Sequence, residues 1–98
     1  MSENERIVIS RQGDNESYQF TMTIKNEGDS PNEGLLEDGA LSLKKDDNFI
    51  IISSIRYENE GDEEKEMERL FKMCRIVKLA CQFSEDDVDR AMLRYKSE

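Results

Sequence analysis

Between Asp62 and Phe83 the chain reads DEEKEMERLFKMCRIVKLACQF, and no other stretch keeps one period for so long. Met67, Leu70, Phe71, Cys74, Val77 and Cys81 recur at spacings of three and four. This places them on one stripe of an α-helix, with Met73 and Ala80 at its edge. A helix with an apolar stripe has to bury it against another element. The remaining apolar residues lie upstream in four short runs with strand-like spacing. The chain therefore predicts an α+β fold: a small antiparallel sheet of about four strands in two hairpins, a long helix packed on it, and a short C-terminal helix. Ninety-eight residues support one core, so 1–98 is read as a single domain.

Residues 1–5 are polar and expected to be loose. In Arg6 to Arg11, Ile7 and Ile9 face the core, and Gln12 to Glu16 carries the Gly, Asp and Asn of a turn. Ser17 to Lys25 alternates cleanly, with Tyr18, Phe20, Met22 and Ile24 on one face and Gln19, Thr21, Thr23 and Lys25 on the other. An acidic loop is expected over 26–39, with Leu35 and Leu36 able to pin its middle as a short helical turn. Ala40 to Lys44 is a third strand with Leu41 and Leu43 on one face, and Lys45 to Asn48 is a second turn. Phe49 to Tyr57 is the longest strand. There Phe49, Ile51, Ser53, Ile55 and Tyr57 share a face, and Ile50 and Ile52 lie opposite.

After Phe83 the periodicity restarts. Ser84 is an N-cap with Asp87 three residues on, Phe83 and Val88 fit a hydrophobic staple, and Val88, Ala91, Met92 and Tyr95 form a stripe running to about Lys96.

Charge narrows the function. The chain has 23 Asp plus Glu against 14 Lys plus Arg, a formal net charge of -9. Nucleic-acid binding draws its affinity from cations that neutralise phosphates, so direct binding to nucleic acid is not expected; a basic partner is. No run of 18 apolar residues and no leader-like N-terminus is present, so neither membrane insertion nor secretion is expected, and the location is read as cytoplasmic. Cys74 and Cys81 lie seven residues apart on one helix, about 10 Å along its axis, beyond disulfide reach. Reduced, buried thiols are expected.

With no His, neither a Ser-His nor a Cys-His dyad can be built, and no cofactor or nucleophile motif is present; an enzyme is not expected. Two Cys at i, i+7 are not a zinc pair. The segment Asp29 to Ala40 puts Gly34 at the sixth place of a calcium loop but Pro31 and Ala40 where oxygen ligands are needed, so no metal or cofactor is expected.

What remains is surface. Carboxylates gather in the loop (Glu27, Asp29, Glu33, Glu37, Asp38), before and at the start of the long helix (Glu58, Glu60, Asp62, Glu63, Glu64), and at the last helix (Glu85, Asp86). In charge, size and lack of catalytic residues the chain resembles the small acidic DNA mimics that phages and mobile elements use against host proteins, a likeness of character that covers no motif. It implies a non-enzymatic inhibitor of a basic, nucleic-acid-binding host protein, acting in the host cytoplasm if phage-encoded. The alternative is a small cytoplasmic adaptor or regulatory protein that binds through an apolar helix or strand surface. Ile76, Leu79 and Phe83 form a second stripe opposite the first. Either the last helix covers it, or it joins Ile50 and Ile52 in a homodimer seam.

Overall fold

Alternating apolar and polar residues make the strands, and an aspartate closes each hairpin. In the computed structural model, which describes residues 6–14, 16–28, 31–36, 41–58 and 62–97, β1 (Ile7–Gly13) pairs with β2 (Ser17–Lys25), and β3 (Leu41–Lys45) pairs with β4 (Phe49–Ser54). Asp14 Oδ1 accepts hydrogen bonds from the Glu16 and Ser17 amides, both at 2.9 Å. Asp46 Oδ1 does the same for Asn48 and Phe49, at 2.8 and 2.6 Å. Gly13 is obligatory: its φ is +113°, and a Cβ there would stand 2.3 Å from the Ser17 carbonyl oxygen. The hairpins join through β2 and β4, giving the antiparallel order β1-β2-β4-β3.

Ile7, Ile9, Tyr18, Phe20, Met22 and Ile24 are buried, as their alternation predicts. On β4 the phase is the opposite of the one expected. Ile50, Ile52 and Ser54 are buried, while Phe49 is 43% exposed. The reason is a one-residue bulge. Pairing runs Thr21 with Ser53 on β4, but Ser17 with Glu58 on β5 (Tyr57–Glu58), so one extra residue is absorbed at Ile55–Arg56. The bulge exchanges the faces, and Tyr57 joins the core side beside Tyr18 with ring centroids 5.6 Å apart. The buried Ser54 hydroxyl repairs the ladder at this point, accepting the Phe20 amide at 2.8 Å. Ile50 and Ile52 are therefore core residues of their own chain and cannot form a dimer seam.

Helix α1 (Glu63–Cys81) starts on Asp62, whose carboxylate accepts the Glu64 and Lys65 amides, and Glu63, Glu64 and Glu66 fill its first turn. It stops at Gln82, which adopts the left-handed conformation (φ 57°), and the Phe83 amide closes back on the Lys78 carbonyl. Its buried residues are Leu70, Met73, Cys74, Val77, Ala80 and Cys81. Phe71, expected on the core stripe, is 48% exposed, and Phe83, expected on the far stripe, is buried. The buried arc is turned by about 50° from the expected one, half of a residue's 100° step. The acidic connection accounts for this turn. A 3-10 turn (Glu33–Leu35) inserts Leu36 into the core and donates the Asn32 amide to the Ala80 carbonyl, which draws the Met73–Ala80 side of α1 inward.

Helix α2 (Glu85–Ser97) runs antiparallel to α1. Lys78 meets Glu85 at one end, Cys74 Sγ lies 3.6 Å from Met92 Sδ in the middle, and Lys96 stands over Phe71 at the other end. It packs over β1 and closes the core with Ala91 and Met92, while Tyr95 meets Phe20 edge-on at 6.2 Å. Both helices thus lie on one face of the sheet. Among the described residues no helix is long and apolar enough to cross a membrane.

Candidate interaction surfaces

Of the twelve carboxylates nominated from the sequence, the eight described ones are divided among separate places. Asp29, Glu37, Asp38 and Glu60 lie outside the described residues. Asp62 is committed to capping α1. Glu85 pairs with Lys78 at 2.7 Å, which holds its carboxyl below the usual range through a hydrogen bond and the ammonium charge. Glu27 lies 3.8 Å from Arg6. Glu33 opens the 3-10 turn beside the C-terminal end of α1, and Glu85 and the exposed Asp86 open α2 at that same end. Asp62, Glu63 and Glu64 lie at the N-terminal end of α1, while Glu58, opposite Ser17 on β5, is on the sheet face away from the helices. The two poles are separated by the 19 residues of α1, about 27 Å at 1.5 Å per residue. The described residues carry sixteen Asp and Glu against all fourteen Lys and Arg, a balance of -2; the other seven acids, with no base among them, lie outside.

The helices leave an open groove between them. About 570 Å³ in volume, it has Phe71, Cys74, Val88, Met92 and Leu93 along its floor and walls. Arg75, Lys78 and Lys96 stand at the rim with Glu85 and Asp89. Leu93 and Leu79 are each 66% exposed, with Leu79 on the crest of α1 one turn beyond Arg75. Of the four residues proposed for a dimer seam, only Leu79 stays clear of the core: Ile76 is half-buried against it. Sequence reasoning missed the groove because it assigned Phe71 to the core and passed over Leu93. The available signal was the pair of leucines off the buried stripes, Leu79 on α1 and Leu93 on α2. The Cys74 thiol is pushed up to about 12 by burial. It remains protonated at neutral pH and offers an apolar wall rather than a nucleophile.

A second polar assembly closes the other side of the helices. Arg69 donates to the Tyr18 hydroxyl at 3.0 Å and stacks over Tyr57 at 4.6 Å. Arg11 lies over the Tyr18 ring at 4.4 Å and binds Glu66 at 2.9 Å. These contacts tie α1 to the sheet. Burial raises the Tyr57 and Tyr95 hydroxyls, which therefore stay neutral.

No protein-family model, no curated protein and no solved structure matches the chain.

Proposed function

We propose that the protein is a small, non-enzymatic cytoplasmic adaptor or regulatory protein that takes the apolar side of a partner segment into the α1–α2 groove. The observation that carries this reading is the combination of Phe71 and Leu93 at the groove and Leu79 on the adjoining crest, all exposed on a helix pair whose other apolar residues are buried or partly buried. Exposed apolar residues that adjoin an open groove mark a docking surface more often than single exposed leucines do. The rim is mixed in charge, Lys78 being paired with Glu85, and its Arg75 and Lys96 favour a segment carrying a carboxylate beside its apolar anchors. A second reading, inhibition of a basic nucleic-acid-binding protein by DNA mimicry, is favoured by the acidic pole of Asp62, Glu63 and Glu64 at the start of α1.

One titration separates the two. A partner recovered with the immobilised protein is measured at low salt and in about 0.5 M salt, where the Debye length is roughly 4 Å. Groove docking survives the salt and the substitution of Glu58, Glu63 and Glu64 by Gln, but falls at least about tenfold on Leu79→Asp or Leu93→Asp. Mimicry gives the reverse pattern and competition with labelled DNA.

A further inference from the structure

On the sheet face that carries no helix, the one acid among the described strand residues is Glu58 of β5, opposite Ser17 at one corner; the β1-β2-β4-β3 part of the face holds none. The side chains pointing away from the core are Val8, Ser10 and Gln12 on β1, Gln19, Thr21, Thr23 and Lys25 on β2, Phe49, Ile51 and Ser53 on β4, and Ser42 and Lys44 on β3. Across these four strands the face is free of acids among the described residues, in a chain that carries 23. Val8 and Phe49 are 45% and 43% exposed on it. Its cations sit at the rim: Lys44 on the edge strand, Lys25 at the end of β2 and Arg56 past the end of β4. Arg56 stands near Asp14 and Lys44 near Asp46, so the rim is close to neutral.

We infer that this face is the interface of a homodimer in which two sheets pack back to back. A two-fold interface sets a patch against itself. On the helix layer that would bring Glu63, Glu64, Asp86 and Asp89 against their own copies, whereas the sheet face brings together hydroxyls, amides and aliphatic groups. Ser, Thr and Gln both donate and accept, so each is complementary to itself, and the β-branched Val8, Thr21, Thr23 and Ile51 suit face-to-face sheet packing. Four strands about 4.8 Å apart and about 23 Å long give roughly 440 Å² in plan per copy. A corrugated surface exposes more than its plan, so two copies reach the approximately 1,000 Å² at the lower end of specific interfaces. Such a dimer leaves both α1–α2 grooves outward, on opposite sides.

Sedimentation equilibrium of the full chain tests this. The expected mass is twice 11.4 kDa, with association strengthened by salt as the repulsion between two acidic chains is screened. Thr23→Glu with Ile51→Glu should give a monomer of unchanged circular dichroism, and Leu93→Glu should leave the dimer intact. Amine cross-linking of a mixture of heavy- and light-isotope wild-type chains needs no variant, and should give intermolecular links through Lys25 and Lys44. A wild-type chain that stays monomeric at sub-millimolar concentration, a double variant that dimerises as tightly as wild type, or intermolecular links confined to Lys72, Lys78 and Lys96 on the helices would overturn the inference. So would a monomer that binds single-stranded nucleic acid through Lys25 and Lys44.

Discussion

Ser54 and Ser84 show how much a single hydroxyl can settle. Ser54 is 4% exposed, and its oxygen is the acceptor for the Phe20 amide where the bulge breaks the β2–β4 ladder. Ser54→Ala leaves a buried N–H unpaired and should destabilise by about 1–3 kcal/mol in urea melts. Ser84 Oγ accepts the Asp87 amide at 3.2 Å and donates to the Asp87 carboxylate at 2.9 Å. Ser84→Ala should lose about 1 kcal/mol and Ser84→Asp much less, because the helix end requires an oxygen acceptor. A neutral Ser84→Ala would mean that α2 is held by packing alone.

At the scale of the element, the phase of α1 decides which side chains support the fold and which are available to a partner. Leu70 is fully buried, whereas Phe71, one residue on, is nearly half exposed at the groove. Leu70→Ala should cost about 3 kcal/mol and Phe71→Ala less than about 1 kcal/mol, read as the shift in urea midpoint at constant slope. Equal losses at the two positions would restore the stripe expected from the sequence and close the groove.

Over the whole molecule, carboxylates that appear as surplus charge are partly structural. Asp14 and Asp46 are held below the ordinary carboxyl value by the turn amides they accept, Asp87 chiefly by the Ser84 hydroxyl, and Glu85 by Lys78. Each binds its proton more weakly when folded than when unfolded. Their stabilisation is therefore present above the unfolded value, near 4, and lost as the pH falls through the lower folded values. The urea midpoint should drop below about pH 4, and Asp14→Asn with Asp46→Asn should flatten that drop, since Asn keeps the acceptor and removes the titration. A midpoint that holds constant from pH 5 down to about 2.5 would show that these turns add nothing through their charge.

Local pattern was sufficient to determine the strand and helix identities, both hairpin turns and the Ser84 cap, because each depends on residues within a few positions of one another. The clean alternation of Tyr18 to Ile24 needs no context to show which face is wet. What depended on tertiary structure was phase. The face of β4 turns on an extra residue at Ile55–Arg56 that is visible only against the register of β2. The rotation of α1 turns on Leu36 and Asn32, more than 40 residues upstream of Ala80. Charge was misleading for the same reason. A sequence counts carboxylates equally, whereas the fold commits some to turns, caps and ion pairs, divides others between two poles, and, among the described residues, leaves the outer face of β1, β2, β4 and β3 without any. An apolar stripe fixes that a helix has an inside, but only the partner packed against it fixes where that inside is centred.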